Sequence, residues 1–237
     1  MLEAERIAGA VGRLLEHFDV TDAARIRITG PNCDAGPMLV QVNLRRARTP
    51  TRIQTITRGP GDALPVVVRL QHQLQTLQTN GRTRPWPDPT RPARASPGPG
   101  HITRRKSVPL RTVEPITAAT IMDAMDYDVY LFTDTETGED AIVYRAGPTG
   151  LELARQTQLH PPHPSNTAAL QPGPFTINPR PAPALTETQA AECVCEHGLP
   201  SLFYTDPGTG RGHLLYRRYD TNLGLITPDS RAIAISQ

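Results

Sequence analysis

Arginine dominates the side chains of this chain that could do chemistry. Arg25 and Arg27 alternate with Ile26 and Ile28. Arg45 and Arg46 close a run in which Met38, Val40, Val42 and Leu44 alternate with Gln41 and Asn43, and Arg52 and Arg58 follow it. In an extended strand, successive side chains leave opposite faces, so this alternation lines one face of a sheet with guanidinium groups. A guanidinium offers a planar fork of donors that fits phosphate bidentately. Arg82, Arg84, Arg104, Arg105 and Lys106 extend the basic set. The chemistry implied is contact with a polyanion backbone, which positions a protein without reading sequence. The plain alternative is an ordinary solvated sheet face. Phe18 is the only aromatic residue before position 83, so a base-stacking platform is not expected.

Other candidate chemistries are weaker. "DTETGED" opens like a calcium loop, but Arg145 stands where a bidentate Glu would fall, and the later "DPGTGRG" has no such pattern. Both read as hairpin turns, with Asp134 and Asp206 capping them through local hydrogen bonds. "GTGRG" sits between two strands, not before a helix, so it is no nucleotide loop. Cys193 and Cys195 are two apart on a helix and face different directions. With His197 they make a poor zinc set, and the expected arrangement is Cys193 in the core with Cys195 partly exposed. His160 and His163 fall in a proline-rich segment without nearby cysteine. No nucleophile–base spacing stands out. The expectation is a protein that is not an enzyme, with no metal, no cofactor and no small-molecule substrate.

The 237 residues suffice for one large domain or two to three small ones. Proline is frequent, at 25 residues, so part of the length reads as linker. The net charge of +2 hides a split: residues 1–111 hold 18 Lys/Arg and 8 Asp/Glu, whereas residues 112–237 hold 7 and 15. That pattern suggests a basic module for a polyanion beside an acidic module for something else. Three cysteines argue against a disulfide framework and for a reducing cytoplasm. The opening residues are amphipathic and carry acids, unlike a signal peptide, and no apolar run reaches the roughly 18 residues of a membrane span.

The elements that must position these residues follow from periodicity. Ile7, Val11, Leu14, Leu15 and Phe18 predict a helix over 2–18. Strands are expected at 25–29, 38–46 and 52–58, the last with a bulge because Ile53 and Ile56 are out of phase. A second helix is expected over 63–78, with Val67, Leu70, Leu74 and Leu77 as its stripe. Residues 1–82 then form a small sheet with both helices on one face and Arg on the other. Residues 83–100, with six prolines, read as a stiff linker. Residues 101–156 contain a strand, a helix and the hairpin "YDVYLFTDTETGEDAIVYR". Residues 157–183, with eight prolines, read as another linker. Residues 184–230 repeat the pattern, opening on a helix whose capping box pairs Thr186 with Gln189.

The repeat is explicit. Shifted by 72, residues 129–153 match 201–225 at nine of 25 ungapped positions, among them Thr133/Thr205, Asp134/Asp206, Gly138/Gly210, Tyr144/Tyr216 and Arg145/Arg217. A unit of about 45 residues with one helix buries little alone, so each copy is expected to supply the other's missing core. Tyr130, Phe132 and Tyr144 are expected to pack against Phe203, Tyr204 and Tyr216, within the chain or in a homodimer.

"RRKSVPL", the helix, the hairpin above and "GLEL", then "LLYRR" and "LGLI" in the second copy, resemble the C-terminal domain of long ribosome hibernation promoting factors, the S30AE family. The resemblance covers residues 101–228, with motif order and spacing matching twice. It implies an α+β fold: an N-terminal domain of β-α-β-β-β-α type, then two tandem small α+β units. The first strand of that domain is missing here, and the expectation is a start codon set too far downstream. The resemblance also implies a cytoplasmic, ribosome-associated stress factor. Its basic module would meet the small subunit, both 16S rRNA and ribosomal proteins, through Arg25, Arg27, Arg45, Arg46, Arg52, Arg58, Arg82, Arg84, Arg104, Arg105 and Lys106. Translation would be inhibited by occupancy of the mRNA/tRNA path. The rival reading is a protein-binding regulator that works through the acidic copies without touching the ribosome.

Overall fold

A computed structural model describes residues 2–20, 24–30, 38–46, 49–57, 64–78, 97–146, 150–162 and 175–229. The chain is α+β and divides into two units. The first comprises residues 1–91 together with 123–127, and the second holds the remainder.

In the first unit, helix α1 (Leu2–His17) precedes strands β1 (Arg25–Thr29), β2 (Leu39–Arg46) and β3 (Thr49–Ile56), and helix α2 (Leu64–Gln78) follows. The strands form one antiparallel sheet in the order β1-β2-β3. One face of it packs on the helices: Val40, Val42, Leu44 and Ile53 meet Ile7, Val11 and Leu15 of α1 and Val66, Leu70 and Leu74 of α2. The expected bulge in β3 is absent, since β2 and β3 pair without interruption from Leu39↔Ile56 to Arg46↔Thr49. The buried positions of β3 are Thr51, Ile53 and Thr55. Threonine hides the alternation that isoleucines alone seem to break, and Ile56 simply lies on the other face. On α2 the buried stripe begins at Val66, with Val67 only half-buried.

The second unit contains β4 (Ile102–Val108), β5 (Thr112–Val113), most of α3 (Pro115–Ala124), β6 (Val129–Asp134), β7 (Asp140–Tyr144) and β8 (Glu152–Arg155). Then come β9 (Thr176–Ile177), α4 (Glu187–His197), β10 (Ser201–Thr205), β11 (Gly212–Arg217) and β12 (Leu223–Pro228). β9 lies inside the proline-rich segment read as linker. The α4 capping box is present: Gln189 N–H donates to Thr186 Oγ1 at 3.3 Å, and Thr186 N–H donates to Gln189 Oε1 at 2.9 Å. Gly198 ends the helix at φ +63°, in the left-handed region that glycine enters without a Cβ penalty.

Two sheets build this unit, in the orders β5-β6-β7-β8-β9 and β10-β11-β12-β4. Their edges are exchanged. β4 opens the first copy but pairs in parallel with β12 of the second, as in Ile226↔Lys106. β9 opens the second copy and pairs in parallel with β8 of the first, as in Leu153↔Ile177. Ile102 of β4 accordingly packs against the second copy's core of Ala190, Val194, Tyr204, Leu215, Leu223 and Leu225. Each copy completes the other's sheet.

Candidate nucleic-acid face and pairing interface

The pairing of β1 with β2 sets Arg25 opposite Asn43 and Arg27 opposite Gln41. These residues alternate with the core positions Val40, Val42 and Leu44, so they occupy the face of the sheet turned away from the helices. Arg25, Arg27 and Arg45 are exposed there. Arg52 shares the face but is half-buried: its Nε donates to Asn43 Oδ1 at 2.7 Å and Nη1 to Tyr127 Oη at 3.3 Å. Its guanidinium also lies 5.8 Å from the Tyr127 ring centroid, a cation–π contact. Three extended, solvated guanidinium groups can meet phosphates spaced along a backbone, while Arg52 is already engaged.

Arg46 is the last residue of β2. Arg58, Arg82, Arg84 and His163 lie outside the described residues. Arg104, Arg105 and Lys106 lie on β4 of the second unit. Arg104 is exposed, and Arg105 forms an ion pair with Glu187. Arg69, a basic residue on α2, is sealed: its Nη2 lies 2.8 Å from Asp126 Oδ1, with side chains 6% and 0% exposed. Asp126 Oδ2 also accepts from Gln54 N–H at 2.7 Å. Arg69 is therefore spent on packing.

Both thiols are partly exposed, as expected for Cys195 but not for Cys193. Cys195 packs against the second copy's core and donates to Gly100 C=O at 3.6 Å. Cys193 turns to His197, its Sγ 3.9 Å from Nδ1. The buried residues of α4 are Ala190 and Val194.

Between the copies, Leu131, Ile142, Ala154, Phe203 and Leu214 form one cluster, with Leu110, Val129, Tyr144, Ala182 and Ile226 at its rim. The pairs 131/203, 142/214, 154/226 and 110/182 are each related by the repeat shift of 72. Of the six aromatic residues expected here, Phe203 and Tyr144 belong to this cluster. Tyr204 faces its own helix, among Ala190 and Val194. Phe132 is fully buried one position along from Leu131, hence on the opposite side of β6. Tyr130 stacks on it at 6.4 Å. Tyr216 pairs with Gly224, where a Cβ would strike its ring. Tyr144 donates to Glu152 and accepts from Asn178 at 3.1 Å. Burial first, and Glu152 second, push its phenol well above the usual range. Burial likewise raises Tyr204 to about 12.

Polar groups inside this interface were not legible from periodicity. Asp140 is 2% exposed. It accepts from Arg211 Nε at 2.7 Å, Arg211 Nη2 at 3.0 Å and Gly212 N–H at 2.8 Å across the interface, and from Thr133 Oγ1 at 3.1 Å within its own copy. That hydrogen bonding raises the Arg211 pKa further. Gln156 Nε2 donates to Thr205 Oγ1 and to Gly210 C=O, both at 3.0 Å.

Residues 98–151 match the family model described as "Sigma 54 modulation/S30EA ribosomal protein C terminus". Over 234 residues the chain is 52% identical to the protein named "Dormancy associated translation inhibitor" in Mycobacterium tuberculosis, in strains CDC 1551/Oshkosh and H37Rv alike. The match covers 98% of this chain and 86% of that relative.

Proposed function

Because the chain belongs to the ribosome hibernation factor family, we propose that it is a dormancy factor that inhibits translation by binding the small ribosomal subunit. Residues 1–82 are the ribosome-binding part. The copies at 101–156 and 184–230 form a paired module that does no chemistry. Arg25, Arg27 and Arg45 meet 16S rRNA phosphates, and the bound protein blocks the mRNA/tRNA path by occupancy, without turnover. Such a factor works where ribosomes are, in the cytoplasm.

The observation that carries this reading is the set of three exposed arginines on the open sheet face, directly behind the apolar face that packs on the helices. Phosphate contacts release counterions, so affinity must fall steeply with salt. The test is co-sedimentation of the full chain with 30S subunits over a salt series. The expected result is binding at low salt, lost as salt rises, and abolished in the R25E/R27E/R45E chain. Binding that ignores those three reversals would overturn the reading, and no binding at any salt would point to the protein-binding regulator.

A further inference from the structure

The apolar cluster between the copies is built from four repeat-related pairs and would serve like or unlike copies equally. The polar groups at its heart are not so even-handed. A Cβ placed on Gly212 would lie 2.7 Å from Asp140 Cβ, and 140 and 212 are themselves related by the shift of 72. The interface therefore sets one position of the repeat against its own counterpart. There the first copy carries Asp and the second carries Gly. One residue earlier the first carries Glu139 and the second Arg211. A third difference is Gln156, whose amide bridges to the second copy, against Pro228, which has no side-chain donor.

We propose that these positions make the pairing face selective: the first copy accepts the second and rejects another first copy, and the second copy likewise rejects its own kind. Two first copies would press Asp140 against Asp140 with Glu139 where Arg211 now stands, so that buried carboxylates meet and neither finds the guanidinium that pairs it now. Removing charges from water is tolerated only when they are paired and hydrogen-bonded. Two second copies would bring two arginines with no carboxylate and leave glycine facing glycine, an unfilled gap. Unlike pairing satisfies Asp140 with four donors and fills the gap. Rejection of the wrong partner by misplaced charge is a general route to specificity. Both faces occur in one chain, so the chain can close on itself. Like-with-like pairing cannot use this face to join two chains.

The face can be reversed in full-length protein. Leu131 must change along with the charges, because a Cβ at Gly212 also comes within 2.6 Å of Phe203 Cε2, and 131 and 203 are counterparts. One chain carries L131F/E139R/D140G, a second carries F203L/R211E/G212D, and a third carries all six substitutions. Unfolding of the second unit is followed by tyrosine near-ultraviolet circular dichroism, since five of the six tyrosines lie in it. Each half-exchange is expected to lower the unit's folding constant at least about a hundredfold. The six-substitution chain should recover most of that loss, because it restores unlike pairing with the roles exchanged. A half-exchanged chain as stable as the parent, or a six-substitution chain no more stable than the halves, would overturn the proposal.

Discussion

Arg155 Nε lies 2.7 Å from Asp134 Oδ2, and both side chains are fully sealed from water. Arg155 also reaches Glu136 Oε2 at 2.9 Å and the His160 carbonyl at 2.6 Å. The second copy has Thr227 at the corresponding position, and its Asp206 has no such arginine; like Asp134 it caps its turn, accepting from Thr209 N–H at 2.9 Å. One aspartate is thus a turn cap that also forms a buried ion pair, and its counterpart a turn cap alone. Arg155→Ala should strand a buried carboxylate and cost about 3–5 kcal/mol. Asp206→Ala removes a local turn bond and should cost only about 0.5–1.5 kcal/mol. Urea unfolding of the two variants compares them directly.

The parts of the fold set by short-range patterns could be read in the sequence. Ile7, Val11 and Leu15 repeat at helical spacing and are the buried stripe of α1. Thr186 and Gln189 form the capping box their spacing suggests. Asp134 and Asp206 cap their turns, and Gly138 and Gly210 both sit near φ +70°. What escaped is non-local. The β4–β12 pairing joins residues more than 110 apart, such as Ile226 and Lys106, and no local pattern names a strand's partner. Thr51 and Thr55 concealed the phase of β3, because threonine counts as polar although its branched side chain packs well in a sheet. The Asp140–Arg211 pair left one usable trace: the copies differ there in charge, Glu139 against Arg211 and Asp140 against Gly212, right after the identical pairs Thr137/Thr209 and Gly138/Gly210.

His213 supplies a pH dependence. It is half-buried, packs edge-on against Tyr204 at 5.5 Å, and burial holds its pKa below the usual value. Asp206, Asp140 and Glu187 pull the other way, and Arg211 adds to the depression. The unfolded chain therefore binds this proton more readily than the folded one. The second unit should keep full stability above about pH 6.5 and lose stability as pH falls through that value. Carboxylates held low, Asp206 by its bonds to Thr209 and Asp220 by Arg218, make their own losses only below about pH 4. Between pH 7 and 5 His213 contributes a slope of this sign. His213→Gln should flatten it, as read from the urea midpoint at each pH.

Gly212 tests how tightly the copies are packed. An added methyl would meet Phe203 Cε2 at 2.6 Å and Asp140 Cβ at 2.7 Å, both on buried side chains with little room to retreat. Gly212→Ala should destabilise the second unit by about 1–3 kcal/mol, although alanine ordinarily favours regular structure over glycine. Gly208, in the exposed turn, is the control. Its Cβ would meet only the Asp206 carboxylate at 3.3 Å, and Gly208→Ala should shift the thermal midpoint little.

Arg25 and Arg52 share a sheet face but should behave differently. Arg25 is exposed. If it meets phosphate, Arg25→Ala lowers 30S affinity and reduces the slope of log affinity against log salt by roughly one. The first unit's stability should stay within about 0.5 kcal/mol. Arg52 is held by Asn43 and Tyr127. Its truncation removes two hydrogen bonds and a cation–π contact, so Arg52→Ala should destabilise the first unit by about 1–2 kcal/mol, with less change in the salt slope. Parallel salt titrations and urea melts of the two variants separate the roles. An equal fall in slope for both would mean that Arg52 leaves its partners to bind RNA. A stable Arg52→Ala chain would mean that those contacts contribute little.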